Sequence, residues 1–473
     1  MLESGSHAAV VDDVIHSHPR QAGVHWLQAG LILFSFAAPS AVMAVPYAIG
    51  MAGFLGGSLI CIALTSASIA GSMMLLAVKR RLADCHTFGD LGGAVLGTAG
   101  RFWGNAIQLG NFCLFLPCAL QFTALALEGI GHGLPGLNGC IDYYVFVIAL
   151  ACLLTTQVRT LSNTQMLASL SVICVFAMAG IQVFAALRYD NPAKVPAQLF
   201  GNPTESALKS LVQACGGFTI SSWAFVPAFL TVELADSMVG ADVSASFRKS
   251  LLLAGGLNVS LFIIVGVVVV ARWGYNVGEV VTLTKGVEGA WAPGSATNTA
   301  FNVFLLTGNF VSYMLDSVPL ARFCQRQWAP NFKDTWSCAD IFQYLVYTMP
   351  TFLFGLLLAV CVPSIRTLLD FTTAFTTPWV TQIYPAVLYW QMFGSSRGAR
   401  VQLLDSVGAS EQPEQAVPST GKLTTREKIG VALVFCTGCT SFVICLAKAC
   451  GYLAIPELRP PFRIGCGKWS IKV

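Results

Sequence analysis

Long apolar stretches separated by short polar connections run through nearly the whole chain. A helix needs about 20 apolar residues to cross the hydrocarbon core of a bilayer. By that measure the pattern predicts eleven membrane spans, at residues 24–50, 53–78, 103–131, 142–158, 164–188, 211–238, 250–273, 298–320, 340–362, 366–391 and 427–450. The fourth is short, and Pro or Gly interrupts several others. Around the spans lie an N-terminal tail (1–23), a C-terminal tail (451–473) and two longer connections. Residues 79–102 begin with Lys79, Arg80 and Arg81, become Gly-rich, and predict a short helix at the membrane surface. Residues 392–426 are rich in Ser, Gly, Glu and Pro and read as a flexible loop. No connection is long enough to fold alone, so residues 24–450 form one all-α membrane domain.

The apolar pattern breaks at corresponding places in spans 1 and 6. Span 1 contains Pro39 and Pro46, and span 6 contains Gly216, Gly217 and Pro227. Spans 1–5 and 6–10 are two halves of five helices. Five is odd, so the second half is inverted relative to the first, and span 11 is an addition. Many transporters are inverted repeats whose substrate site lies where one helix of each half is unwound. A break frees backbone N–H and C=O groups at membrane depth, where only protein, water or a ligand can satisfy them. Half-helix N-termini suit a carboxylate and half-helix C-termini suit an ammonium group or cation. The pairing fits a zwitterion such as an amino acid.

Composition sharpens this reading. Hydrophobic residues make up 55% of 473 positions and charged residues 11%, against about a quarter charged in soluble domains. The net charge of +4 is dispersed and builds no basic face, which argues against a nucleic-acid partner. With the N-terminus inside, sixteen of the 27 Lys and Arg fall in cytoplasmic segments, six in outer loops and five in the outer C-terminal tail. The 16 cysteines fall mostly within apolar runs, where a thiol is a small hydrophobe. Cys436 and Cys439 have no nearby His or acidic partner, and Cys140, Cys450 and Cys466 are the candidates for an outer disulfide. His7, His16, His18 and His25 belong to a polar cytoplasmic tail that does not read as a signal peptide or a metal site.

Val45-Pro46-Tyr47-Ala48, then Gly53, Gly56 and Gly57, resembles the first-helix signature of the amino acid/auxin permease family. Trp223-Ala224-Phe225 followed by Glu233 resembles its sixth-helix Phe-Ala-Tyr with an acidic residue beyond. Ser312-Tyr313 with Pro319 is similar to its eighth helix, and Ile383 to Tyr389 to its tenth. The resemblance implies the fold of the bacterial leucine transporter, within the amino acid-polyamine-organocation superfamily. It also implies uptake of amino acids or relatives, often driven by protons. The chain departs from the family where Pro39 and Ala41 replace two glycines and Pro227-Ala228 replaces Gly-His. These changes touch the unwound segments and bear on substrate identity.

The expected substrate contacts are Pro39, Ser40, Ala41, Val42 and Met43 of span 1 with Phe218, Thr219, Ser221, Ser222, Trp223 and Phe225 of span 6. Gln108, Asn111 and Gln121 of span 3, with Asn302, Asn309, Ser312 and Tyr313 of span 8, either line the pathway or join helices by hydrogen bonds. Ionisable groups inside spans are coupling candidates, namely Glu128, Glu233, Asp316 and Asp370. Transport is expected to need no cofactor or metal, with protons or sodium as the coupling ion. No HExxH or paired-Asp motif marks an enzyme, and no long tail marks a sensor, although a sensor and a carrier of auxin-like metabolites remain the alternatives. The sequence leaves open the oligomeric state, and the choice between plasma membrane and vacuolar or lysosomal membrane.

Overall fold

The computed structural model describes residues 23–82, 84–131, 141–155, 157–158, 164–192, 194–200, 207–238, 242–275, 277–278, 280–284, 286–287, 289–329, 337–362, 365–394, 423–454, 463–464 and 471–472. Within those ranges it leaves aside the side chains of residues 207–212, 229, 366, 450–454 and the last two pairs. The tail histidines His7, His16 and His18, Cys140, Cys466 and the side chain of Cys450, and most of the 392–426 loop lie outside what is described.

Each predicted span has a helical counterpart. Span 1 is two helices, α1 (Trp26–Ser35) and α2 (Ala38–Ala52), bent by 53°. Span 2 is α3 (Phe54–Arg81), and the inner connection holds α4 (Phe88–Leu96). Spans 3, 4 and 5 are α5 (Thr98–Gly131), α6 (Ile141–Thr155) and α7 (Gln165–Arg188). Span 6 is again two helices, α8 (Ala207–Trp223) and α9 (Ala228–Ser237). Spans 7, 8 and 9 are α10 (Val243–Trp273), α11 (Ala296–Trp328) and α12 (Cys338–Cys361). Span 10 is α13 (Ile365–Phe375) and α14 (Tyr384–Gly394), joined through a π-helical turn at Trp379–Ile383. Span 11 is α15 (Thr425–Ala454). A two-residue pair, β1 (Arg463–Ile464) with β2 (Ile471–Lys472), follows it.

Seven of these helices are individually long and apolar enough to cross a membrane, and the bent pair α1–α2 makes an eighth. The other three spans are a short helix and two interrupted ones, so length and composition alone stop short of eleven. Large apolar side chains such as Leu154, Met166 and Phe342 stand on the outside of the bundle, as lipid contact requires. Several helices outrun the apolar pattern: α3 runs through Lys79, Arg80 and Arg81, whose long stems let a helix continue past the hydrocarbon.

Helix starts show how the chain satisfies its first-turn N–H groups. His25 and Gln28 form a capping box on α1, and Ser337 and Asp340 form one on α12. Thr87, Asp242 and Ser295 cap α4, α10 and α11 with their side chains. The start of α3 is closed by backbone, with Phe54 N–H on the Gln198 carbonyl and Leu55 N–H on that of Leu199, both at 3.0 Å. Gly53 makes this possible: its φ is +83°, and a Cβ there would lie 2.7 Å from the Leu199 carbonyl oxygen. In contrast, α2 and α9 begin after Ala37 and Pro227, and neither receives a side-chain cap.

Span 8 packs along spans 3 and 5, α1 packs against spans 5 and 7, and α2 packs against α8 and span 7. Both broken spans therefore lie inside the bundle, and every residue of α2 is buried.

Candidate functional site

Both breaks follow from one covalent fact. Proline has no N–H, so the carbonyl four residues earlier loses its helical donor. In span 1 the first helix ends at Ser35, four residues before Pro39. In span 6 the first helix ends at Trp223, four residues before Pro227. The chain then resumes helix on the far side, with Pro39 in the first turn of α2, where proline is well tolerated. The break in span 1 is thus at Phe36–Ala37, ahead of the Pro39–Val45 stretch that the prolines mark in the sequence, and Pro39–Met43 lie on α2.

Orphaned carbonyls need new donors, and neighbouring spans supply them. Ser312 Oγ of span 8 donates to the Ser35 carbonyl at 2.9 Å. Pro46 orphans the Val42 carbonyl in the same way, and Gln182 Nε2 of span 5 donates to it at 3.1 Å. In the span 6 break, Asn258 Nδ2 of span 7 donates to the Ala224 carbonyl at 3.1 Å. Ser40 Oγ, just past the first break, donates to Asn309 Oδ1 at 2.5 Å. The contact is close because Gly308 leaves room, since a Cβ there would stand 3.0 Å from that of Pro39. Replacing Gln182 with leucine keeps the volume and strands the Val42 carbonyl. The expected loss is about 1–3 kcal/mol of stability, read as a lower unfolding temperature of the detergent-solubilised protein; an unchanged temperature would show that the bond is dispensable.

Aromatic rings bridge the two breaks. Phe36 lies 4.7 Å from Phe115 of span 3, Phe115 stacks on Trp223 at 5.2 Å, and Trp223 also meets Phe122 at 6.0 Å between ring centroids. Trp223 is fully buried and its indole N–H finds no acceptor among the described residues. Phe225 lies within the second break and is buried.

Other sequence candidates are dispersed around this centre. Thr219 donates within its own helix to the Cys215 carbonyl, and Ser221 and Ser222 are buried beside Trp223. Phe218 lines an apolar cleft of about 430 Å³ between spans 2, 6 and 11. Asn111 accepts from Thr376 Oγ1 at 2.9 Å, joining spans 3 and 10. Gln108 accepts the Phe88 N–H, and Gln121 donates to the carbonyls of Ala359 and Val362 at the end of span 9. Asn302 bonds Asn298 within span 8, and Tyr313 is buried next to Ser312. Asp316 and Glu233 are buried, on span 8 and α9 respectively. Glu128 and Asp370 have partners of their own.

The span ends on the side of Val24 are tied by charge. Lys79 Nζ lies 2.8 Å and His86 Nδ1 2.7 Å from the Asp236 carboxylate, and Arg326 of span 8 donates to the His86 carbonyl at 3.3 Å. Val24 N–H donates to the Ser237 carbonyl at 2.8 Å, just before α1 begins and where α9 ends. Sequence reasoning missed Gln182, Asn258 and this cluster. The signal for the first two is a lone amide in an otherwise apolar helix, and for the cluster the charges that flank span ends.

Comparison with known proteins follows this geometry. The family model for transmembrane amino acid transporter proteins matches residues 22–404. A transmembrane transporter of Gibberella moniliformis is 25% identical over 174 residues, and one of Fusarium pseudograminearum 27% identical over 176 residues. Each match covers 37% of this chain and 36% of the length of the curated relative. Among solved structures, MhsT in complex with L-phenylalanine superposes with a TM-score of 0.55 at 13% identity, over 89% of this chain and 98% of that one. A nucleobase-cation-symport-1 family transporter, closed with bromovinylhydantoin bound, gives 0.54 at 13% identity, over 93% of this chain and 95% of that one. These likenesses show the fold, the inverted five-plus-five architecture of the bacterial leucine transporter.

Proposed function

We propose that this chain, which belongs to the family of transmembrane amino acid transporter proteins, is a secondary active transporter that takes up amino acids with protons by alternating access. Family membership and fold support a membrane transporter of a small molecule. The observation that carries the finer reading is the pair of uncapped half-helix starts. The starts of α1, α4, α10, α11 and α12 are closed by side chains; α2, α7 and α9 begin without one, and of these α2 and α9 begin at breaks inside a span. Open N–H groups and the positive end of a helix dipole at α2 are suited to a substrate carboxylate. At the other break, Pro227 leaves the Trp223 carbonyl at the negative end of α8, suited to an ammonium group. Ser40, Ser221 and Ser222 are the hydroxyls at hand, and Trp223 and Phe225 the walls. MhsT, which shares the fold, was solved in complex with L-phenylalanine, in keeping with this reading.

The test is accumulation of a radiolabelled mixture of amino acids in proteoliposomes, with and without an inward proton gradient, and with a sodium gradient instead. Accumulation above protein-free liposomes that needs the proton gradient is expected. Accumulation driven by sodium alone would overturn the proton coupling, and none under either gradient from folded protein would overturn the amino acid reading.

A further inference from the structure

Asn309, Ser312 and Asp316 share one face of span 8 by their spacing. The first two are tied to span 1, through Ser40 and the Ser35 carbonyl. Asp316, one turn further toward the inner side, is different. None of its surface is exposed, and neither carboxyl oxygen has a hydrogen-bond partner among the described residues. Polar side chains that only join helices do not look like this: Asn111 and Gln121 of span 3 each bond another span. Among the described residues no Lys, Arg or His forms an ion pair with Asp316. Among the described residues the ionisable groups that interact with it are Cys118 of span 3 and Tyr313 of its own helix, Cys152 of span 4 reaches only as far as Tyr313, and α1 carries no ionisable side chain. Cys118 lies on the face of span 3 that carries Phe115 and Phe122, the two rings against Trp223. Asp316 therefore lies on the face of span 8 that carries the two ties to the span 1 break.

An ionised carboxylate enclosed without donors or a counter-charge costs several kcal/mol, so an enclosed carboxyl in this setting is the neutral acid. The same group opened to water ionises readily. A carboxyl with this contrast, buried in the element against which the broken helices move, changes charge with access. We infer that Asp316 carries the coupling proton. When the site opens outward, its carboxylate takes one proton from the outer water and an O–H bond forms. When the site opens inward, that bond breaks and the proton leaves to the inner water. The inference rests on the proton-symport reading above and names the group that performs it.

The test uses purified full-length protein in proteoliposomes carrying a trapped pH dye, with the same labelled amino acid mixture. Two quantities are read: uptake under an inward proton gradient with the accompanying acidification of the lumen, and exchange of external label for internal unlabelled mixture with no gradient. In the parent all are expected. Asp316→Asn is expected to retain exchange and to lose both gradient-driven accumulation and acidification. Acidification and accumulation at the parent level in Asp316→Asn would overturn the assignment while leaving the symport reading intact. A parent that shows no gradient-driven accumulation would instead overturn the symport reading itself. Loss of exchange in an Asp316→Asn protein that elutes and unfolds like the parent would also overturn the assignment, because the carboxyl would then be needed to carry substrate. Should that variant fail to fold, Asp316→Glu carries the test: it is expected to keep acidification and to move the pH of half-maximal uptake, and an unmoved profile would overturn the proposal.

Discussion

Trp223→Ala is expected to abolish accumulation of the amino acid mixture, while Trp223→Phe retains most of it. The indole is fully buried and holds the end of α8 against Phe115 and Phe122, and Phe115 in turn holds Phe36 at the other break. Truncating a buried tryptophan to alanine costs about 3–5 kcal/mol because the surroundings close only partly over the hole. Here the hole would open between the two discontinuous helices, so the geometry of both breaks is lost together. Phenylalanine keeps a ring in the stack, leaves a much smaller hole than alanine does, and gives up an N–H that has no acceptor among the described residues. Uptake and thermal unfolding measured on both variants decide the matter. An alanine variant that unfolds at the parent's temperature and still transports would show that the ring stack bridges nothing.

Asp236→Asn is expected to loosen the inner face. The Asp236 carboxylate joins Lys79 of span 2 and His86 of the inner connection to the last turns of α9. Lys79 is only 7% exposed but Asp236 is 29% exposed, so removing the carboxylate's charge costs about 3 kcal/mol, the low end for a buried pair. His86 is about half exposed and adds little by comparison. The released energy biases the chain toward arrangements in which the inner ends of spans 1, 2 and 6 separate. Hydrogen–deuterium exchange reads this directly at the Val24 amide, which donates to Ser237. Exchange there is expected to rise on the order of a hundredfold, since each 1.4 kcal/mol is about tenfold, while α12 on the periphery keeps its protection. Unchanged exchange at Val24 would mean that the cluster holds nothing shut.

Much of the architecture was legible in the sequence, because a bilayer imposes one length and one polarity on every crossing. The pairing of breaks in spans 1 and 6 was legible too, since Pro39 and Pro227 act by the same rule. The position of the first break was less so. Two prolines in span 1 draw attention to the segment between them, yet proline disturbs the turn before it, so the helix stops at Ser35 while Pro46 sits within helix. Which carbonyls are orphaned can be counted from any proline. Which side chain arrives to satisfy them cannot, because Gln182 and Asn258 come from helices far along the chain and are placed only by packing. Asn258 shows the difficulty well: in sequence it stands out only as Asn-Val-Ser, a glycosylation pattern inside a span. The candidates of spans 3 and 8 divide on the same principle, since residue type is visible in the sequence and partnership is not.

The bond between Val24 and Ser237 has a consequence for leakage. It fastens the chain just ahead of the first half of span 1 to the end of the second half of span 6, and Val24 also bridges Met238. If α1 and α9 swung separately, the inner face would pass through mixed arrangements with one door ajar and the other shut. Fastened together, they open as a single cooperative unit, and the mixed arrangements, through which ions could slip without cargo, become rare. If the chain is the proton-coupled carrier proposed above, its stoichiometry depends in part on two residues that lie outside the proposed substrate and proton sites.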